Sequence, residues 1–585
     1  MEIMRKLLTV LTGLLFMGTI HAWAADFETA AEAVKNMGLG WNLGNTLEAN
    51  NQTITDINNS GYWGQQDLKS ETCWGQYVTK PELMKMMKDA GFGAIRVPVT
   101  WFNHLDANGK VNAEWMARVH EVVDYVINQG LYCILNVHHD TGADSYDNSG
   151  KMTSYHWIKA DMDNYTKNKD RYEYLWRQIA EEFKDYDQHL LFESYNEMLD
   201  KLNSWCFASF NASGQYDASI ATSAYDAINS YAQSFVSTVR ATGGNNTQRN
   251  LIVNTYCASN GYGSWNTHLQ DPLTSLMKPE GEANHIAFEV HAYPAIVNND
   301  QSARPIADIK KEVDGMIGLL KTNFKSKGIP VIFGEWGTSN VDAAVTDYVA
   351  RPELMKQFCE YFVQQNKAND IATFYWMGLT DGASRLFPAF SQPDLAKWLL
   401  QAYHGSDYTP RLPERSDYST SCISSTVDFE QQWAEFNLAQ GSFTFNDYIR
   451  LVLELGEAPA SGLLQVKIYG SSETSKDITA ATSNIPITTN MGTITRITLQ
   501  CKKGSGSVRV KNIWLKKKSG ELVPSDPSVF WGCTMRDVAI SSPTGIHAVR
   551  QDAVSDGRIY DLSGRQQQGQ LGKGVYIQNG KKFIK

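Results

Sequence analysis

Between residues 25 and 405, eight short apolar runs alternate with amphipathic helical patterns, and few folds accept that order. The runs lie near Leu39–Leu43, Ala94–Val99, Tyr132–Val137, Leu190–Tyr195, Leu251–Tyr256, Ile286–His291, Val331–Gly334 and Ile371–Trp376. Between them a 3.6-residue period predicts helices over Lys80–Ala90, Ala113–Gln129, Arg171–Tyr186, Ser219–Thr242, Ile306–Lys327 and Pro352–Lys367. Thr79-Lys-Pro-Glu predicts a helix start, with Thr79 as cap and Pro81 in the first turn. The expectation is an α/β chain whose first domain, residues 25–405, is a (β/α)8 barrel with loop insertions. An open doubly wound sheet is the alternative, but no Gly-x-Gly-x-x-Gly follows a strand to mark a nucleotide site.

At 585 residues the chain is too long for one core. Past the barrel the texture changes. Residues 406–425, polar and carrying Pro410 and Pro413, read as a linker. Residues 426–525 show period-two runs such as Leu464-Gln-Val-Lys-Ile-Tyr469, which predict an all-β sandwich as an accessory domain. Exposed aromatics there would suit a sugar surface, and Trp433, Tyr448 and Trp514 are the candidates. Residues 526–585 read as a further linker and a small β tail, with Asn579-Gly580 as a hairpin turn.

Residues 1–24 have the layout of an export signal: Arg5-Lys6, an apolar stretch from Leu7 to Ile20, then Ala22-Trp-Ala24. That apolar stretch, about 14 residues, is too short to span a bilayer. The chain is therefore expected to be secreted, to the cell surface, periplasm or medium, with no membrane insertion. A net charge of −10 argues against nucleic acid as a partner. The eight Cys form no CxxC and no zinc spacing, and Cys133 and Cys257 read as free buried thiols. No metal or other cofactor is expected, and the chain is expected to be a monomer.

The chemistry lies at the ends of the predicted strands. They end in Arg96, in His138-His139, in Asn196-Glu197, in His291-Ala-Tyr293, in Glu335 and in Trp376. In a barrel these ends converge on one face. Two glutamates facing each other across a cleft are the apparatus of glycoside hydrolysis. His138 and His139 would point to opposite sides of a regular strand, so only one can face the cleft. Asn45, Glu48, Trp63, Trp74, Trp101 and Trp205 follow strand ends and are candidates for further sugar contacts.

Taken in order, Gly40-Trp-Asn-Leu-Gly-Asn45, Gly91-Phe-Gly-Ala-Ile-Arg-Val-Pro-Val99, Asn196-Glu197 and Gly334-Glu-Trp-Gly337 resemble glycoside hydrolase family 5, the cellulase-type hydrolases. The resemblance covers about residues 35–405. It implies a retaining endo-β-1,4-glucanase, with Glu197 as acid/base, Glu335 as nucleophile and carboxyls about 5–5.5 Å apart. It implies that Arg96 and Tyr293 hold Glu335, and that Asn196 takes the sugar 2-hydroxyl. His138 and His291 would bind hydroxyls or orient the glutamates, and Trp376 would floor the site. His139 and Asn45 would line the cleft. The substrate would be a β-glucan polysaccharide or oligosaccharide, with xyloglucan, mixed-linkage glucan and mannan as alternatives. A metal-dependent barrel would want His-x-His at the first strand end and finds none. A glycan-binding, inactive barrel is disfavoured because both glutamates are present. Tyr560-Asp-Leu-Ser-Gly-Arg565 and Gly574-Val-Tyr-Ile577 resemble the C-terminal sorting tails of secreted Bacteroidetes proteins.

Overall fold

The computed structural model describes residues 27–50, 68–146, 152–154, 156–210, 215–339, 344–386, 388–412, 425–429, 431–443, 449–487 and 491–517, and four short strands between 559 and 584. The expected leader, Trp63, Tyr448 and most of the expected linkers lie outside these residues.

Eight strands form a closed parallel barrel: β1 (Leu39–Asn42), β2 (Ala94–Val97), β3 (Tyr132–Asn136), β4 (Leu190–Glu193), β5 (Leu251–Asn254), β6 (Ile286–Ala292), β7 (Val331–Trp336) and β8 (Thr373–Tyr375). β1 pairs with β2 on one side and with β8 on the other, which closes the ring and rules out the open sheet. Helix α1 (Ala30–Met37) precedes the first strand, and the outer helices include α2 (Pro81–Ala90), α3 (Ala113–Ile127), α4 (Met162–Glu182), α5 (Ala218–Ala241), α6 (Ile306–Asn323), α7 (Pro352–Ala368) and α8 (Pro393–His404). Two helix starts differ from expectation. α4 begins earlier, because Asp161 caps it by accepting from the backbone of Asp163 and Asn164, although the first turns carry no apolar stripe. At α2 the cap position is Lys80, which makes no capping side-chain bond, and Thr79 Oγ1 has no partner.

The strands are buried on both faces, and side-chain alternation sorts each into an outward and an inward set. Outward residues such as Ile95, Phe192, Val253 and Phe333 join the large core under the helices. Inward residues form two layers. The lower one is apolar: Ala94, Ile134, Leu191, Ile252, Ala287, Ile332 and Phe374 pack together over α1, which plugs the barrel floor. Two residues further along, the same inward faces carry Arg96, Asn136, Glu193, Asn254 and Glu289. This second layer is polar and fully buried.

β7 breaks the alternation. Val290 pairs with Phe333 but His291 pairs with Glu335, so Gly334 is an extra residue, and the ladder to β8 shifts across the same point. This bulge turns Glu335 inward, where strict alternation from the outward Phe333 would send it out. Trp336 then faces out and stacks on Phe362 at 4.2 Å.

Residues 425–517 form two four-stranded antiparallel sheets. One is built from Ser425–Phe429, Gly506–Lys517, Ile449–Leu455 and Thr482–Ile487; the other from Glu435–Phe443, Ile494–Cys501, Leu464–Gly470 and Thr474–Ile478. Alternate residues of both sheets, among them Leu451, Leu453, Val466, Ile497 and Leu499, share one buried cluster, and Tyr77 of the barrel packs against it. Trp433 is 54% exposed there. Ahead of these sheets, Tyr408 donates to the Ala90 carbonyl and Arg411 pairs with Asp89, holding residues 406–412 to α2. Residues 539–585 are a separate unit, a four-stranded sheet in which Val575–Gln578 pairs antiparallel with Lys581–Ile584. No described helix is long and apolar enough to cross a membrane.

Candidate active site

The polar layer and the strand ends above it form one hydrogen-bonded assembly centred on Arg96. Its Nε and Nη2 donate to the two oxygens of Glu193 at 2.7 and 2.8 Å. Nη1 donates to Glu335 Oε1 at 2.8 Å and to Asn42 Oδ1 at 3.0 Å. Nη2 also donates to Asn196 Oδ1 at 2.9 Å. Arg96 is wholly buried, so its charge is compensated from within the barrel and not by water.

Glu335 is held from the other side as well: the Tyr293 hydroxyl donates to its Oε2 at 2.6 Å. Tyr293 stays a phenol, because burial and then the charge of Glu335 push its ionisation up. Glu197, at the end of β4, keeps 23% of its side chain exposed. His291 joins the two glutamates. Its Nδ1 lies 2.8 Å from Glu197 Oε1 and 3.5 Å from Glu335 Oε2, and its Nε2 lies 3.1 Å from Glu289 Oε1. Burial opposes the imidazolium, but the Glu335 charge and the bonds to Glu197 and Glu289 outweigh it and push His291 up to about 10. Oxygens of Glu197 and Glu335 and a nitrogen of His291 all lie within 4.8 Å of one another. Such a trio is close enough to grip a cation. Here Arg96 and the His291 imidazolium already supply the positive charge, and a metal ion would have to displace or neutralise them.

His138 is buried and neutral. Asn136 Nδ2 lies 3.0 Å from its Nδ1, which must then accept, so the proton sits on Nε2, 3.8 Å from Glu335 Oε1. Burial pushes its pKa well down, helped by His139 and Arg96. The His138 ring lies parallel to Trp376 at 5.8 Å, and Trp376 is half-buried. His139, half-buried, turns instead towards the 40%-exposed Trp74. Asn45 sits half-buried after β1 with φ 55°, and its backbone N–H donates to Glu48. The neighbouring Gly44 abuts the Trp376 ring.

Arg96, His138, Asn196, Glu197, His291, Tyr293, Glu335 and Trp376 thus come together, with His139 and Asn45 at the margin. Two looser candidates do not belong. Trp101 is fully buried and donates to the Asn136 carbonyl, and Glu48 is buried and ties up the loop after β1. Trp205 is 44% exposed on the segment after β4. Glu193, Glu289, Asn42 and Asn136 went unread in the sequence. Their signal was there: a polar residue two places after an inward apolar one, on strand after strand.

The bulge makes a prediction. A Cβ on Gly334 would lie 1.7 Å from Glu289 Oε1. Gly334→Ala should destabilise the barrel by about 3 kcal/mol, measured by denaturant unfolding, because neither the strand nor the buried carboxyl can give way. His291 makes another. Its pKa is raised in the fold, so its contribution to stability is complete below pH ~6.5 and lost as pH rises through about 10. Between pH 7 and 10.5 the Tm of wild type should fall more steeply than that of His291→Asn.

A closed parallel barrel with two glutamates converging at its C-terminal rim is the architecture of a carbohydrate-cleaving hydrolase. Residues 53–380 match the cellulase family, glycosyl hydrolase family 5. The chain is 32% identical over 388 residues to Endoglucanase B of Neocallimastix patriciarum, a match covering 65% of this chain and 72% of that one. Among solved structures it is similar to a GH5-4 broad specificity endoglucanase from an uncultured bacterium, with 64% identity, TM-score 0.60, and 65% and 96% of the two chains covered. It is similar also to a family 5 enzyme of Prevotella bryantii B14 solved with a xyloglucan tetradecasaccharide, with 38% identity, TM-score 0.53, and 65% and 99% covered. This chain belongs to glycosyl hydrolase family 5. It is a glycoside hydrolase, and its matched relatives are endoglucanases.

Proposed function

We propose that this chain is an exported, monomeric, retaining endo-β-1,4-glucanase acting on β-glucan, in which Glu197 is the acid/base and Glu335 the nucleophile. The observation that carries the mechanism is the approach of the two carboxyls, one oxygen of each lying within 4.8 Å of the other. Retaining enzymes hold their carboxyls at about 5–5.5 Å, whereas inverting ones need about 6.5–9.5 Å to admit a water.

Glu335, ionised beside Arg96, attacks the anomeric carbon while Glu197 gives its proton to the departing glycosidic oxygen. The bond to that oxygen breaks and an ester to Glu335 forms. Glu197, now a carboxylate, takes a proton from water. The resulting hydroxide attacks the same carbon, and Glu335 leaves as carboxylate. His291 grips one oxygen of Glu197, which leaves the other to face the sugar. Arg96 takes the Asn196 oxygen and so turns the amide N–H2 towards the 2-hydroxyl, a contact that strengthens as positive charge grows on the ring. Trp376, backed by His138, gives the sugar in the site a flat apolar floor. Trp74 and Trp205, both exposed near the rim, suit flanking sugars.

The relatives supply the finer reading of substrate. One is a broad specificity endoglucanase and another holds xyloglucan, so the cleft is expected to accept a decorated β-1,4-glucan backbone as well as a plain one. The two antiparallel sheets fit an accessory β-sandwich on which Trp433 offers one exposed ring. The test is oligosaccharide release from carboxymethyl-cellulose, barley β-glucan, xyloglucan and glucomannan, with and without chelator. Release from the glucans, unchanged by chelator, is expected. Release from none of the four would refute the endoglucanase reading.

A further inference from the structure

Below the two glutamates lies a pair of carboxyls that the double-displacement scheme does not use. Glu193 on β4 and Glu289 on β6 are both fully buried and share one guanidinium nitrogen: Arg96 Nη2 lies 2.8 Å from Glu193 Oε1 and 3.4 Å from Glu289 Oε1. Two carboxylates drawn to one buried guanidinium repel each other, and burial penalises the second charge. One of them must be an acid, and the surroundings say which. Both oxygens of Glu193 accept from Arg96, and Oε1 accepts a further bond from Asn136 at 2.9 Å. That is the environment of an anion. Glu289 has only one oxygen so engaged: Oε1 lies 3.1 Å from His291 Nε2 and 3.4 Å from Arg96 Nη2. Its Oε2 is buried with no donor near it. An oxygen that nothing donates to, beside an anionic carboxylate, is where a proton belongs.

We propose that Glu289 is a positioning residue for the reaction at Glu197 and Glu335: as a neutral acid it donates from Oε2 to Glu193, and with Oε1 it receives the Nε2–H of His291, aiming the opposite Nδ1–H at Glu197. This rests on the acid/base reading of Glu197. Titration behaviour agrees with it. Burial presses on both carboxyls, yet Arg96 holds Glu193 below the usual range, while burial and then the Glu193 charge push Glu289 up. Charge also balances. Arg96 and the His291 imidazolium offset Glu193 and Glu335 while Glu289 is neutral and Glu197 carries the proton that it donates in the first step. The bulge at Gly334 is part of the device, since it gives the Glu289 carboxyl its space and turns Glu335 inward at the same point.

The groups facing His291 and Glu289 are Arg96 from β2, Glu193 from β4, Glu197 beyond β4, Tyr293 beyond β6, Glu335 from β7 and His138 beyond β3. Four variants of the full chain separate the possibilities, each followed by the pH profile of kcat/KM and by thermal unfolding. Glu289→Gln keeps a donor towards Glu193 and an acceptor for His291, so it should stay within about threefold of wild type with an unmoved profile. Glu193→Gln removes the anion opposite Arg96 and should lose at least tenfold in activity and lower Tm. Glu289→Ala leaves His291 Nε2 without its acceptor. The imidazolium is then weakened, Glu197 loses a cationic neighbour, and the basic limb should move to higher pH by at least half a unit while kcat falls. Glu289→Gln as damaged as Glu289→Ala would overturn the proton assignment. A Glu289→Ala profile merely scaled down, with its limbs unmoved, would reduce Glu289 to packing. Glu197→Ala, run alongside, keeps the two readings apart: if it remained active, the acid/base assignment itself would fall, whatever Glu289 did.

Discussion

Glu335→Gln is expected to hydrolyse β-glucan about 10^4–10^6-fold more slowly than wild type, the scale seen when a covalent nucleophile is removed. A carboxamide fills the same space, and its oxygen still accepts from Arg96 Nη1 while its N–H2 can donate to the Tyr293 hydroxyl oxygen, so the fold and sugar binding should survive. The measurement is kcat on a soluble glucan beside the Kd of a cello-oligosaccharide. A large fall in kcat with Kd unchanged within about twofold is the expected pair. A variant that both cleaves and binds normally would remove Glu335 from the chemistry.

Arg96→Met should have the largest effect on stability. Arg96 is fully buried and makes five hydrogen bonds, to Glu193, Glu335, Asn42 and Asn196. Deleting one partner of a buried ionic cluster costs about 3–5 kcal/mol, because the remaining charges keep their desolvation penalty without their compensation. Here the groups stranded are carboxylates. Their pKa values would rise in the variant, so the loss should be greatest at neutral and alkaline pH and shrink as pH falls towards 5. Activity should fall by about 10^2–10^3-fold, because Glu335 loses the donor that holds its Oε1. Chemical denaturation at pH 7 and pH 5 checks the first claim and kcat/KM on a soluble glucan the second. Equal destabilisation at both pH values would contradict the electrostatic account.

Much of the barrel was legible because its grammar is local. Each strand is a short apolar run, and the residue that ends it is polar where the rim begins, so Arg96, His138, Glu197, His291, Glu335 and Trp376 could be picked out in order. α1 and α8 went unread because they lie outside the inner alternation, and the first turns of α4 are polar and owe their start to the Asp161 cap. The inner polar layer was harder. Glu193 and Glu289 stand inside strands, where an apolar run draws attention to its end and not to its inward alternates. The orientation of Glu335 was not deducible by alternation at all, since strict period two sends it outward and only the extra residue at Gly334 corrects this. The tryptophans show the same limit. Trp74 and Trp101 read alike in sequence, yet one is 40% exposed and the other wholly buried, a difference set by loops folding across one another.

The choice between His138 and His139 is instructive for the same reason. Both nitrogens of His138 are accounted for, one by Asn136 and one by the approach to Glu335, whereas His139 faces the exposed indole of Trp74. Neighbouring identical residues acquire different work just past the end of one strand, where His138 turns into the barrel mouth and His139 towards Trp74.

The most direct test of double displacement is the stereochemistry of the first product. Proton NMR of a cello-oligosaccharide or β-glucan digest, recorded before mutarotation equilibrates the new reducing end, reports which anomer leaves the enzyme. Attack by Glu335 with Glu197 as acid/base predicts the β-anomer first, with the α-anomer growing in only as mutarotation proceeds. The α-anomer appearing first would mean a single displacement by water, in which Glu335 forms no ester and Glu197 plays no double role.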